Sequence, residues 1–495
     1  MSKKTKLQHA IDAIISFTKK PEPVIAFLVI SLFFGVIFVA KIPPLWGADE
    51  TTHYARAYQI AQGDFVSDKM AYPWGSTSYG GYIPKSVFNL IWHVNDDITK
   101  DPYMTSFGIK KIDDLSSYKE FTDKKLGLAT EQYFFPNTAA YSPVAYLPGS
   151  IGIFISQLIG LNVGQSIFVA RLLGLLFYIG CVVLALRALR PHKIAWLFFV
   201  IASLPMMLFE ASIICGDTVI NGLTILFIAL NAKALIEKRL ERYEVGLLSA
   251  ATILMPLVKP TYIFIAAAIV VLPAARFAIL KKVPAGVVKY GILAVSVIGL
   301  AIWTYIIRDV SRAFRLIGTG ERWQLISVHD QTAFLLHHPL SFIKTLGRTV
   351  LLNDNNWMSG FFGQFGFSYI QIPAVAIIAM IIALLLGFGI ANKISVTKKQ
   401  ALILASLLVI GLISIFGAFY LTFSNVGEAV VEGVQGRYFL PFLPLLALIL
   451  ALLLPGKKSI IATVSGKFTI HHMIICLVLF GITLSVIKYF YVLLG

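Results

Sequence analysis

The reading of this chain turns on VIAFLVISLFFGVIFVAKI, residues 24–42, and on PPLWGADETTHYAR, residues 43–56, which follows it directly. The first stretch carries one charge, Lys41. As a helix it measures about 28 Å, close to the hydrocarbon thickness of a bilayer. The second opens on two prolines, which cannot continue a helix, and then collects acidic, aromatic and basic residues within one or two turns. A membrane span that delivers a polar segment to the membrane surface is the pattern that organises the rest of the chain.

Apolar runs of similar length recur from Pro23 to Leu494. Fifty-seven per cent of the 495 residues are hydrophobic and only 14% are charged; a soluble domain carries roughly 25% charged residues. The composition therefore predicts an all-α polytopic membrane protein. The formal charge of +17 does not point to nucleic acid. The basic residues sit in short clusters between apolar runs, at Lys19-Lys20, Lys281-Lys282, Lys398-Lys399 and Lys457-Lys458, as in cytoplasmic loops. Cys181, Cys215 and Cys476 lie too far apart for a disulfide framework or a metal-ligand spacing. Lysines ahead of residue 24 resemble the start of a signal peptide, but no small-residue cleavage site follows, so this end reads as a retained anchor.

Hydropathy gives about eleven transmembrane helices, near 24–42, 166–188, 194–214, 218–236, 245–258, 260–276, 286–307, 366–390, 400–423, 438–455 and 470–493. Placing the basic loops inside puts the N-terminus in the cytoplasm and the C-terminus outside. The layout is then a cytoplasmic N-terminus over 1–23, the first helix over 24–42, and a large external loop over 43–165 carrying juxtamembrane helices and the candidate active site. Helices two to seven fill 166–307, a second external loop covers 308–365, and helices eight to eleven fill 366–495. Ser142–Leu161 reads as a membrane-surface helix, because counting it as a span would turn Arg187–Lys193 outward. The two short spans meeting at Lys259-Pro260 suit a broken or re-entrant hairpin. Neither a solenoid repeat nor similarity between the halves is apparent, which counts against an inverted-repeat transporter.

In a helix starting at Asp49, the residues Asp49, His53 and Arg56 fall at i, i+4 and i+7, on one face. A carboxylate, an imidazole and a guanidinium in a row can hold an anion and move a proton. The same residues also admit a structural reading, in which Asp49 caps the helix, Glu50 favours its positive end and Arg56 pairs locally.

Four segments together resemble the bacterial family called domain of unknown function 2142. They are the Pro-Pro-x-x-x-x-Asp-Glu-x-x-His pattern at 43–53, the region from Tyr141-Ser142-Pro143 to Arg171-Leu172-Leu173-Gly174, His338-Pro339-Leu340-Ser341-Phe342, and Gln435-Gly436-Arg437-Tyr438-Phe439-Leu440-Pro441. That family is in turn similar to the GT-C superfamily of multispan glycosyltransferases, which use polyprenyl-phosphate sugars and carry a catalytic acid in the first external loop. The resemblance implies a GT-C-like fold with Asp49 and Glu50 as catalytic residues. It implies a polyprenyl-phosphate-linked sugar as donor and a cell-envelope polysaccharide, teichoic-acid-like polymer or lipid as acceptor, at the outer face of a bacterial cytoplasmic membrane. Such transfer needs a base for the acceptor hydroxyl and cations for the departing phosphate.

His53, Arg56, Arg171, Lys259 and Arg437 are the substrate-binding candidates. Arginines near helix ends also snorkel to lipid headgroups, whereas Lys259 interrupts an apolar run and is expected either to serve function or to pair with Asp217. Glu428 and Glu432 could join Asp49 around a divalent cation such as Mg or Mn, or form a solvated loop face, and the metal requirement stays open. His337-His338 and His471-His472 are adjacent pairs and cannot form a zinc helix, and the first pair reads as part of an interfacial helix over Leu335–Leu352. The rival readings are a transporter or flippase of a lipid-linked sugar and a non-catalytic envelope-assembly scaffold.

Overall fold

The computed structural model describes residues 21–72, 75, 77–99, 116–280, 282–313, 326–366, 370–391, 394, 396–453 and 469–494. Most of the expected cytoplasmic N-terminus, and the Lys457–Lys467 connection, lie outside the described residues.

The first apolar run forms α1, Pro23–Lys41, with Pro23 at its first turn, where a missing N–H is harmless. Pro43 and Pro44 keep it from continuing, and α2, Glu50–Ala61, follows. The long segment then builds a three-stranded antiparallel sheet from β1 (Asp68–Ala71), β2 (Thr77–Pro84) and β3 (Thr130–Phe134), with α3 (Lys85–Thr99) inserted between the last two strands. Helices alone are expected in this segment from the sequence. The sheet is a departure, because β3 pairs with β2 only after a long excursion that local pattern does not reveal.

The apolar stretch after Ser142 becomes a short turn and α4, Leu147–Leu158, which doubles back along the first turns of α5, Val163–Ala188. Gly152 permits this close packing, since a Cβ there would stand 2.7 Å from the Ala170 Cα. The expected span at 194–214 is broken into α6, Ala195–Ala202, and α7, Pro205–Ala211. Pro205 lacks the N–H that would continue the ladder, and the hydroxyl of Tyr178 donates to the Ala202 carbonyl at 2.8 Å. Every residue of both pieces is buried. They lie at the centre of the helix array with α8, Asp217–Ile236, of which all but Lys233 and Ile236 are buried.

Helix α9, Arg242–Val258, contains Pro256 and stops at Lys259, because the residue before Pro260 is driven out of the helical region into extended backbone. Residues 260–271 continue as a shorter apolar helix of alternating 3-10 and α turns, so the expected break at Lys259-Pro260 is present and the helix stops short of 276. Then follow α10 (Ala285–Ile306), α11 (Val328–His337) and α12 (Pro339–Phe362). The helix expected over Leu335–Leu352 is therefore two helices, divided at His338 because Pro339 starts a new one. The remaining helices are α13 (Ala374–Ile390), α14 (Lys398–Thr422), α15 (Leu443–Leu453) and α16 (Ile470–Leu494).

Six helices among the described residues, α1, α5, α8, α10, α14 and α16, are long and apolar enough to cross a membrane. The other five expected spans are shorter helices or are broken by proline.

Candidate functional site

The C-terminal end of α1 is fixed by an ion pair between two of the candidate site residues, Arg171 and Glu50. Arg171, two turns into α5, donates to both carboxylate oxygens of Glu50 at 2.7 and 2.6 Å, and to the carbonyls of Ile42 and Pro43 at 2.7 and 2.9 Å. Those carbonyls belong to the residues just beyond α1, where helix carbonyls lack intrahelical partners. Glu50 also accepts the backbone N–H groups of Gly47 and Ile214, both at 2.9 Å. Arg171 and Glu50 are 2% and 0% exposed, with four hydrogen bonds from the Arg171 guanidinium and two to each Glu50 oxygen. Arg56 also turns away from Asp49, although helical spacing places them on one face. It is buried and donates to Gln59 and to the carbonyls of Phe65 and Tyr141, tying the loop after α2 to the segment before α4. Glu50, Arg171 and Arg56 thus build the frame, and none of them lines the cavity described next.

That cavity, of about 380 Å³, is lined by Asp49, His53, Tyr141, Asp217, Lys259, Arg437 and Tyr438, together with Asn137, Gln435, Phe419 of α14 and Phe423 just beyond that helix. Each charged group arrives from a different element. Asp49 precedes α2, Asp217 is the first residue of α8, Lys259 caps the end of α9, and Arg437 lies in the turn Gly436–Phe442. Gly436 presses that turn onto α12. A Cβ at Gly436 would stand 2.1 Å from the Trp357 carbonyl oxygen, so no larger residue could hold Arg437 here.

Asp49 does not cap α2. Its side chain makes no capping hydrogen bond, and its backbone is left-handed, with φ 53° and ψ 19°. Asp tolerates this conformation better than most residues, but it still costs about 1 kcal/mol or more. The result is a carboxylate 53% exposed, aimed across the cavity at Arg437, with 3.6 Å between Oδ2 and Nη2. That distance is a loose ion pair rather than a hydrogen bond. Among the described residues Arg437 makes no hydrogen bond, and its Nε is buried without a partner although the side chain is only 7% exposed.

Lys259, by contrast, is paired with Asp217, the structural alternative that its position in the sequence allowed. The Lys259 ammonium also stands over the rings of Tyr438, at 5.1 Å, and Tyr141, at 5.8 Å. These rings were legible only as members of the quoted motifs. His53 Nδ1 lies 2.6 Å from the Tyr146 hydroxyl, and its ring is parallel to that of Tyr141. Burial, against the pull of the Asp49 and Asp217 carboxylates, lowers the His53 pKa to about 4. The imidazole is therefore neutral near pH 7 and adds no positive charge for a phosphate.

One layer deeper lies Glu210, fully buried, accepting from the Asn221 amide at 2.7 Å. A lone acid inside the apolar run 194–214 was the available signal for it. Glu428 and Glu432 sit in an irregular loop rather than on a helix and do not line the cavity. Among the described residues no cluster of three or more His, Cys, Asp or Glu side chains could hold a metal ion.

The helix array and its charged cavity define a membrane-embedded multi-pass protein with a polar site where several helices end. The family described as "Predicted membrane protein (DUF2142)" matches residues 32–446, and the chain belongs to it. No curated protein and no solved structure matches the chain.

Proposed function

We propose that this protein is a GT-C-like glycosyltransferase, moving a sugar from a polyprenyl-phosphate carrier to a hydroxyl of an envelope glycan or lipid at the outer face of a bacterial cytoplasmic membrane. The observation that carries the reading is Arg437, a nearly buried guanidinium with unused donors, facing an exposed carboxylate across a cavity. A buried cation without hydrogen-bond partners calls for an anion, and a guanidinium fits phosphate. Beside it lies a groove of about 500 Å³ lined only by apolar residues, including Trp357, Phe416, Phe439 and Phe442. The turn 436–442 serves both, with Arg437 and Tyr438 on the cavity and Phe439 and Phe442 on the groove. A phosphate joined to a long hydrocarbon chain suits that adjacency.

In this reading the donor phosphate takes the Arg437 guanidinium, and Asp49 is released from its loose pair to act as base. Asp49 accepts the acceptor's hydroxyl proton while that oxygen bonds to the anomeric carbon. The bond from that carbon to the phosphate oxygen breaks, and the polyprenyl phosphate departs as an anion held by Arg437. The orientation has residues 43–165 outside and the basic connections in the cytoplasm, with the broken and shorter apolar helices completing about eleven passes.

The test is Asp49→Asn in purified protein, assayed for sugar transfer from a polyprenyl-phosphate donor. Asn tolerates the left-handed backbone, so folding and donor binding should persist while transfer slows by about a hundredfold or more. Transfer at the wild-type rate removes Asp49 from catalysis and moves the flippase and scaffold readings ahead.

A further inference from the structure

A second apolar groove, of about 510 Å³, lies between α4, α5, α8 and α9, and the donor chain described above does not use it. Its walls include Leu147, Ile151, Leu176, Phe177, Leu223 and Leu254. Three elements that line the polar cavity run directly into it. Asp217 faces the cavity and Val219 the groove. Lys259 faces the cavity, and Leu254, one turn or so earlier on α9, faces the groove. Tyr141 faces the cavity, and Val144, just after it, faces the groove. The groove therefore abuts the cavity on the Asp217–Lys259 side, whereas the aromatic groove abuts it through the Arg437 turn. Leu147, Ile151 and Leu176 are exposed while Val219 and Leu223 are buried, so α8 forms the groove's floor and its open side runs along α4 and α5. Helix α5 is long and apolar enough to cross the membrane, so a hydrocarbon chain can lie in the groove from the bilayer.

We infer that this groove seats the hydrocarbon chain of the acceptor, so that both substrates are lipids and meet head to head in the cavity. The inference rests on the glycosyl-transfer reading and names its acceptor class. The two ends of the cavity differ in the charge they offer. At the Arg437 end a guanidinium has donors to spare, as an anionic headgroup requires. At the Asp217–Lys259 end the cation is already neutralised and framed by tyrosine rings, which suits an uncharged, hydroxyl-bearing headgroup. A glycosyl or polyol lipid presents its hydroxyl there, between the chain in the groove and Asp49 across the cavity.

The test uses the full chain in phosphatidylcholine nanodiscs doped with a monoglycosyl diacylglycerol bearing a diazirine in its acyl chain. Irradiation and peptide mapping should show saturable labelling of α4, α5 and α8. Labelling should fall about tenfold in Ile151→Trp and in Leu176→Trp, whose indoles would occupy the groove. Both positions are exposed at the groove's edge, so the fold tolerates them. Excess decaprenyl phosphate should leave the labelling unchanged. Labelling by diazirine phosphatidylcholine to the same extent, in proportion to its mole fraction, would make the groove ordinary boundary lipid and overturn the inference. Displacement by decaprenyl phosphate would assign the groove to the donor and overturn it as well. Binding of decaprenyl phosphate, and its dependence on Arg437, is measured in the same discs, so failure of the donor reading is seen separately.

Discussion

Adjacent carboxylates should fail in opposite ways when neutralised. Glu50→Gln keeps the side chain's shape but turns one oxygen into an NH2 group. Each oxygen of Glu50 accepts one bond from Arg171 and one backbone N–H, from Gly47 or Ile214. Whichever way the amide turns, its NH2 meets two donors and no acceptor. Arg171, 2% exposed, also keeps its charge with only neutral oxygens, the Ile42 and Pro43 carbonyls and the remaining amide oxygen, to answer it. Removing one partner of a buried pair costs about 3–5 kcal/mol, a large share of the ~5–15 kcal/mol that holds a typical domain together. The assay is denaturant unfolding of the detergent-solubilised protein, followed by tryptophan fluorescence. Combining the change with Arg171→Gln should cost less than the sum of the single changes, with a coupling of about 1–3 kcal/mol. If Glu50→Gln unfolds within about 1 kcal/mol of wild type yet transfers sugar a hundredfold more slowly, the pair is not the structural clamp described here and Glu50 is the base.

Arg437→Ala should weaken polyprenyl-phosphate binding by about 1.5–3 kcal/mol, or roughly tenfold to a hundredfold, with partial recovery in Arg437→Lys, as read by calorimetry or native mass spectrometry. Unchanged binding in folded Arg437→Ala would reduce Arg437 to a headgroup anchor. His53, with its pKa lowered by burial from 6.5 to about 4, stabilises the fold fully above pH 6.5, and that contribution drains away as pH falls toward 4. The unfolding midpoint of wild type should therefore drop more steeply over that interval than that of His53→Gln, and parallel curves would show that the imidazole is not buried and neutral. With Cys476, the exposed native thiol, replaced by serine, Leu128→Cys should react with an impermeant thiol reagent in intact cells and Arg239→Cys should not. The opposite pattern would invert the membrane orientation.

The sequence by itself determined the membrane class, the extent of most long helices and the places where they stop. These are short-range properties. An apolar run that long has no other solvent, and a proline blocks a helix wherever it falls, as at Pro43 after α1 and Pro260 after α9. Sequence also placed Asp49, His53, Lys259 and Arg437 among the candidates, since polar groups at the ends of apolar runs are few. It could not divide Asp49 from Glu50, because their roles are set by partners that only the fold supplies. Arg171 reaches Glu50 across 121 positions of chain, and the left-handed turn at Asp49 swings its neighbour's carboxylate inward and its own into the cavity. The same long-range pairing decided that Arg56 braces a loop, that β3 completes a sheet, and that Tyr141 and Tyr438 flank Lys259. Helical periodicity tells which side chains share a face, but only packing decides what that face meets.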